Sequence, residues 1–398
     1  MVWRHGQRRV PRLVHARPNR MASLPALRGT VLITGAFGGL GRRVANWAVE
    51  RGAEQLALVG RQADRPDACA FAESFAVPVR RFAVDVSRRE DVERLIASLA
   101  DLPPLRSILH LAGTQAPGLL AGLDGVDFRA ALDAKANGAQ WLHQATLGQS
   151  LDHFVLFSSI ASVLGAAGQG GYAAANALLD ALARQRRSQG LPAISIAWGR
   201  WAGAGMANEL DTATLQRIEA LGLLPMPVDQ ALAALDQALI ADEVNPVIVD
   251  IDWNRYRQRH PSGRPPALLD QLESTTAPPP TQARLTDRLT GLTETERVTV
   301  LLEGLIEETR LVLGLDADRA LDIHRPLIQL GLDSLLAVEL RNRLRTALGN
   351  APSIAVLLGG ASLVELAAVI APLPPTPPPA NEERSSPSTD TDWEELTL

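Results

Sequence analysis

Lysine is almost missing from this chain. Of its 39 Lys and Arg residues one is lysine, Lys135, which leaves 38 arginines. A guanidinium stays charged and planar, whereas an ammonium is compact and can share or relay a proton. A lone lysine is thus either a chance survivor on the surface or a group kept for chemistry. Tyrosine is nearly as scarce, with two in 398 residues. The single Cys69 excludes an intramolecular disulfide and fits a reducing, cytoplasmic setting. No run of about 18 apolar residues exists to span a bilayer. With a net charge of −5 and no basic block inside the apolar-patterned stretches, the signature of a nucleic-acid binder is absent too. Neither membrane, nucleic acid nor metal is expected as a partner.

What is present is ample apolar content, 46% of the residues, in a length that suits roughly two domains. From residue 30 onward, β-rich runs alternate with helical stretches: TVLIT, QLALVGR, RRFAVDV, RSILHLAG, HFVLFSS, AISIAWG and PVIVDID. Seven strands joined by helices imply an α/β fold, a doubly wound parallel sheet of Rossmann type, because parallel strands require crossover connections. The catalytic unit is expected over 28–257. Residues 258–292 turn Pro-rich and polar and read as a flexible linker. A second unit over 293–371 opens with a capping box, Thr293 and Glu296, and its helical periodicity predicts a small four-helix bundle. Residues 372–398 form a Pro-rich tail with an acidic tip. The first 29 residues hold seven arginines and no acid; an organelle presequence is the lesser reading, and GQRRVPRL the trace of an extended strand.

The first strand runs into TGAFGGLGRRVANWAVERG. Thr34, Gly35, Gly38, Gly39 and Gly41 there make a turn whose backbone N–H groups can approach a pyrophosphate at a helix N-terminus. After the second strand, LVGRQ places Arg61 where an acid would select NAD, so NADPH is expected. Asp85, after the third strand, either meets the adenine amine or caps a turn before a helix near Arg88.

The stretch GQGGYAAANALLDALARQRR raises a further question. Tyr172 is followed four residues later by Asn176, where many nucleotide-dependent reductases have a lysine that depresses the phenol's pKa. This stretch, with FVLFSSIASVLGAAG before it and LPAISIAWGRWAGAGMA after it, resembles the short-chain dehydrogenases, and among them the ketoreductase domains of type I modular polyketide synthases. In that family the asparagine follows the tyrosine and the lysine lies far upstream, where this chain has Lys135. The resemblance implies that Tyr172 is the general acid, that Ser159 bonds the substrate carbonyl, that Lys135 lowers the phenol pKa and holds the nicotinamide ribose, and that Asn176 anchors a relaying water. It adds Phe37, Leu40, Val86, Ala112 and Gly113 to the cofactor-contacting set. Where one stereochemical class of the family has Leu-Asp-Asp, this chain has Gln115, Ala116 and Pro117, and Leu164 stands where the other class often has Trp. This leans toward the class lacking the aspartates. Family members carry a further structural half ahead of the catalytic one. Residues 1–27 resemble only its last segment, so the chain is expected to be a fragment or to receive that half from another polypeptide. The connection between Arg61 and the third strand is also short, which trims one helix.

In the second unit, PLIQLGLDSLLAVELRNRLRTAL resembles the acyl carrier domain of the same synthases. Ser334 would then take 4′-phosphopantetheine from a phosphopantetheinyl transferase, and Leu335, Val338, Glu339 and Leu340 would lie near the helix surface that partners read. The expected partners are upstream and downstream polyketide synthase or peptide synthetase modules, with Trp393, Leu396 and Leu398 as anchors of a docking peptide. The function so implied is NADPH-dependent reduction of a carrier-bound 3-oxoacyl thioester. Two rivals stand beside it: a non-catalytic carrier with an inactive truncated reductase, and a reductase of α-keto acyl thioesters.

Overall fold

The β-rich runs become one parallel sheet. In the computed structural model, which describes residues 2–4, 7–16, 22–114, 125–166, 168–205, 212–258, 267–272, 285–289, 291–313, 315, 321–348 and 351–371, the chain divides into two units. One spans 14–256, and the other joins 1–13 to 257–398.

In the second of these, β1 (Val2–Arg4) pairs antiparallel with β2 (Gln7–Arg9), so GQRRVPRL does contain a strand. The sheet of the 14–256 unit follows with β3 (Thr30–Thr34), β4 (Gln55–Val59), β5 (Val79–Phe82), β6 (Leu105–His110), β7 (His153–Ser159) and β8 (Ile194–Trp198). A two-residue β9 (Leu223–Leu224) lies outside it, β10 (Val247–Ile248) completes it, and β11 (Asp250–Ile251) pairs antiparallel with β9. The spatial order is β10-β8-β7-β6-β3-β4-β5, parallel throughout. The chain therefore leaves β3 in one direction and returns on its other side at β6. That reversal opens a crevice at the carboxyl ends of these two strands, where such sheets bind ligands.

The helices are α1 (Gly39–Glu50), α2 (Pro66–Glu73), α3 (Arg89–Ala97), α4 (Gly125–Leu132), α5 (Gly138–Ala145), α6 (Ala161–Leu164), α7 (Gly170–Ser188), α8 (Thr212–Ala220), α9 (Val228–Ala241) and α10 (Trp253–Gln258). Strand side chains alternate between faces, and two cores result. Val31 and Ile33 of β3 pack with Val44 and Trp47 of α1 and Leu235 of α9. Leu32 faces the other way, toward Val92 and Leu95 of α3, Leu142 of α5 and Leu179 of α7. The short connection after Arg61 forms the eight-residue α2.

Several boundaries differ from the expected ones. Residues 22–27 belong to the sheet unit rather than to a remnant: Leu27 is buried in its core and its N–H donates to Arg51 O. RRFAVDV is strand only as far as Phe82, because the segment then turns toward α3 through Asp85. PVIVDID divides between β10 and β11. The expected linker over 258–292 also contains packed structure. Leu269 and Leu272 are buried, Leu13 N–H donates to Leu268 O, and Arg12 pairs with Asp270 at 3.4 Å. A short α11 (Leu285–Arg288) ends beside the buried Leu289, and Leu285 packs on Gly304, so the bundle begins before Thr293. Apolar leucines at these places outweigh the proline-rich composition around them.

The bundle comprises α12 (Glu294–Leu313), α13 (Ser334–Leu348), α14 (Ile354–Leu358) and α15 (Leu363–Ile370) around Leu301, Leu305, Leu340, Leu344 and Leu366. At the start of α12 the Glu296 carboxylate accepts from Thr293 N–H at 2.9 Å and from its hydroxyl at 2.6 Å. The full reciprocal box is found at Ser362 and Glu365, opening α15. Among the described residues no helix is long and apolar enough to cross a membrane, and no group of three or more His, Cys, Asp or Glu could hold a metal.

Candidate active site

The Gly-rich turn joins β3 to α1 at the crevice. Gly35 has φ +65°, and a Cβ there would stand 2.9 Å from Ala112 N, so the loops after β3 and β6 touch backbone to backbone. At Gly41 a Cβ would meet Gly35 O at 2.2 Å. Both positions demand glycine. Gly38 caps α1 in extended conformation with open space around it, and Phe37 packs beneath the turn against Gly60. Arg61 is exposed just past β4. Asp85 takes the turn-capping role: its Oδ1 accepts from Ser87 N–H at 3.0 Å and Ser87 Oγ at 2.7 Å.

Tyr172 and Asn176 lie one turn apart on α7, and Ser159 ends the neighbouring β7. Lys135 arrives from an element that no sequence pattern announces. Between α4 and α5 the chain widens into a π-helical turn, Asp133–Asn137, a form often found at functional sites. Lys135 is 3% exposed; its Nζ donates to Phe157 O at 2.8 Å and stands 5.6 Å from the Tyr172 ring centroid. The scarce lysine and a scarce tyrosine thus meet in the crevice.

Burial lowers the pKa of Lys135 to about 8, against an upward pull from the charge of Asp180. Burial likewise raises the Tyr172 phenol above its ordinary value, while hydrogen bonding by Ser159 and Asn176 draws it down. The expected depression by Lys135 is not what the structure shows, because the ammonium is turned to a backbone carbonyl and lies against the ring. Asn176 Nδ2 donates to Tyr172 O at 2.7 Å. Its Oδ1 is buried without a partner among the described residues. Leaving such an acceptor unbonded costs roughly 1–3 kcal/mol, so this oxygen suits a water or ligand donor.

Two residues absent from the expected set complete the constellation. His110, fully buried at the end of β6, bridges Thr34 Oγ1 and Lys135 O, each at 2.8 Å. The Lys135 carbonyl can only accept, so Nε2 carries the proton and Nδ1 accepts from Thr34. Burial holds its pKa near 4, hence it is uncharged. Asp180, one turn beyond Asn176, accepts from Ser162 Oγ at 2.7 Å and Ser195 Oγ at 2.6 Å. A polar residue every fourth place along α7 was the available signal for Asp180; for His110 there was none beyond a histidine in an apolar strand.

The crevice fits a dinucleotide. Its glycines bring backbone against the cleft, Gly113 allows Lys135 Cε to pass where a Cβ would stand at 2.9 Å, and the buried acceptor of Asn176 faces an unmet donor. Val86 lines the far side, close against Gly138.

In the bundle, Ser334 is exposed as the first residue of α13. Asp333 caps that helix, accepting from Leu336 N–H at 2.8 Å. Leu340 is fully buried, so of the expected partner-reading residues it is core; Val338 and Glu339 are half-exposed. Gln115, Ala116, Pro117, the side chain of Leu335, and Trp393, Leu396 and Leu398 lie outside the described residues.

Comparison with known proteins agrees with both sites. A family model described as the KR domain matches residues 29–203, and one described as the phosphopantetheine attachment site matches residues 303–370. Polyketide synthase GfsA of Streptomyces halstedii is 41% identical over 335 residues, which cover 81% of this chain and 4% of that protein. Pikromycin polyketide synthase component PikAIII of Streptomyces venezuelae is 37% identical over 342 residues, covering 81% and 22%. The chain thus spans a small part of these relatives. Among solved structures, an A1-type ketoreductase has a TM-score of 0.62 at 41% identity, covering 66% of this chain and 56% of that one. The first-module ketoreductase of phoslactomycin biosynthesis from Streptomyces sp. HK803 has a TM-score of 0.61 at 39% identity, covering 67% and 63%.

Proposed function

Because the chain belongs to the ketoreductase and acyl-carrier portion of the type I modular polyketide synthases, we propose that it reduces the β-ketone of a carrier-bound 3-oxoacyl thioester to a β-hydroxyacyl thioester with NADPH. It carries the acyl chain on a 4′-phosphopantetheine arm at Ser334. The observation that supports the reading most is the meeting of Lys135, Tyr172, Ser159 and Asn176 at the crevice beside the Gly-rich turn.

NADPH, when bound, supplies the hydride. The residues supply the rest. Ser159 and Tyr172 hold the carbonyl oxygen, which orients the ketone and polarises it. The Tyr172 hydroxyl proton passes to that oxygen, leaving a phenolate in a buried place that resists charge. Lys135, still largely protonated at neutral pH, offsets that charge from beside the ring. Asn176 Oδ1 orients the water through which the phenolate regains its proton. Thr34, Gly35, Gly38, Gly39, Leu40 and Gly41 hold the pyrophosphate side of the cofactor, with Arg61 at its 2′-phosphate.

In the same reading a phosphopantetheinyl transferase loads Ser334 in the cytoplasm, and neighbouring modules, joined through the tail, supply and remove the acyl chain. Gln115, Ala116 and Pro117 in place of the two aspartates, together with the A-type designation of similar solved structures, support the hydroxyl configuration of the class that lacks them. The test is NADPH oxidation by the purified chain with β-ketoacyl and α-ketoacyl thioesters side by side. Turnover of the β-keto compound alone supports the proposal. Turnover of the α-keto compound alone favours the peptide-synthetase variant, and a folded chain that accepts phosphopantetheine yet reduces neither leaves a carrier only.

A further inference from the structure

α7 carries three polar residues at successive turns of one stripe: Tyr172, Asn176 and Asp180. The first two belong to the proposed chemistry. Asp180 has no assigned part, yet it is a carboxylate only 8% exposed inside a helix-and-sheet core. A buried acid without a cation bonded to it needs a reason, because removing its charge from water is costly.

Its partners show what it does. One carboxylate oxygen accepts from Ser195 of β8 at 2.6 Å, the other from Ser162 of α6 at 2.7 Å. Hydroxyl donors on both oxygens are the pattern of an ionised, acceptor-only carboxylate. Ser162 Oγ also lies 2.9 Å from Ser159 O, so the carboxylate grips the turn that presents Ser159. Asn245 Nδ2 donates to the Asp180 carbonyl at 3.3 Å and fixes the same turn of α7. The charge of Asp180 also reaches Lys135, which is bonded to no carboxylate of its own: its Nζ donates to the neutral Phe157 carbonyl.

The other groups around Lys135 are accounted for among the described side chains. Asp133 of its own turn accepts from Asn137 Nδ2 at 2.9 Å. From β6 comes the uncharged His110, and from α7 Tyr172. α4 contributes Arg129, exposed to solvent, and α5 His143, bonded to Arg186 at 2.9 Å. Asp180 is the anion whose field reaches the ammonium. We propose that Asp180 is a positioning residue of the reductase site, supplying the buried negative charge that Lys135 answers to and anchoring the turn that carries Ser159. The effect on turnover rests on the reductase reading; the coupling to Lys135 does not.

Having one lysine makes the test direct. Protein labelled with ¹³C at lysine Cε gives a single Lys135 resonance, and its shift against pH reads the ammonium's titration in the intact chain. The wild-type midpoint is expected near 8. Removing an opposite charge disfavours the ammonium, so Asp180→Asn lowers the midpoint by roughly half to one pH unit. Ser195→Ala, which leaves the charge in place, moves it by less than half as much. In parallel, the alkaline limb of kcat/KM with a β-ketoacyl thioester moves to lower pH in Asp180→Asn. A folded Asp180→Asn whose Lys135 midpoint equals the wild type overturns the proposal, whatever its activity. Should Asp180→Asn not fold, Asp180→Glu decides: a midpoint held near the wild-type value supports the charge role, and one that falls by half a unit or more overturns it. A wild type without turnover would sink the reductase reading and leave the lysine titration to stand or fall by itself.

Discussion

His110 and Lys135 are joined by a 2.8 Å hydrogen bond from the imidazole Nε2 to the lysine's own backbone carbonyl. With Thr34 on the other imidazole nitrogen, this makes one rigid link from the Gly-rich turn to the π-helical turn. His110→Phe fills the same space and leaves the Thr34 hydroxyl and the Lys135 carbonyl without that partner. Stability should fall by roughly 2 kcal/mol, and turnover should fall about tenfold or more as Lys135 loses its placement. Urea denaturation and NADPH oxidation on the same preparation check both.

The same histidine sets an acid limit. Its folded pKa, about 4, lies below the ordinary value of 6.5, so the unfolded chain binds the proton more readily. Stability is then whole above pH 6.5 and drains away as pH falls toward 4, by about 3 kcal/mol at full protonation. His143 and His153, also lowered by burial, act in the same direction. Denaturation midpoints between pH 7 and 4 should slope downward on acidification, and His110→Phe should flatten the slope without removing it.

Much of this was legible in the residues. TVLIT, QLALVGR and HFVLFSS are strands because branched apolar side chains leave no helical stripe, and their order with the intervening helices implied the parallel sheet. The π turn over Asp133–Asn137 was not legible, because DAKAN in a helical context reads as plain α-helix and only tertiary bonds, such as that from His110, reveal the extra residue. Asp180 was hidden by its surroundings: LLDALA looks like a helix with one solvent-facing acid, and the two serines that bury it come from elements before and after in the chain. The packed leucines at 269, 272 and 285 were masked by the prolines between them.

Tyr172→Phe removes one hydroxyl and no bond that holds α7, since Asn176 bonds the Tyr172 backbone carbonyl. kcat should fall about a hundred- to ten-thousand-fold, while KM for NADPH and the thermal midpoint stay near wild type. A comparable fall in thermal stability would instead assign the tyrosine to packing.

The glycines of the turn should separate by the space around them. A Cβ at Gly41 would meet Gly35 O at 2.2 Å and Ala36 Cα at 2.6 Å, both backbone, so Gly41→Ala should not give a stable fold. At Gly38 the nearest such atom is Gly35 O at 3.5 Å. Gly38→Ala should therefore fold normally and show its cost only when NADPH binds, as a Kd raised about tenfold or more by isothermal titration. Equal effects at the two positions would contradict a cofactor role for the turn.

In the carrier unit the two neighbours Asp333 and Ser334 should divide their labour. Asp333 caps α13 through Leu336 N–H at 2.8 Å, and Asp333→Ala should cost about 1 kcal/mol of bundle stability. Ser334 is exposed at the first position of that helix, so Ser334→Ala should leave the melting curve unchanged while abolishing the mass gain on incubation with coenzyme A and a phosphopantetheinyl transferase. Asp333→Ala should still gain the mass, more slowly, because the hydroxyl remains but the turn presenting it is frayed. If Ser334→Ala were loaded as fast as wild type, the attachment site would have to lie elsewhere in the chain.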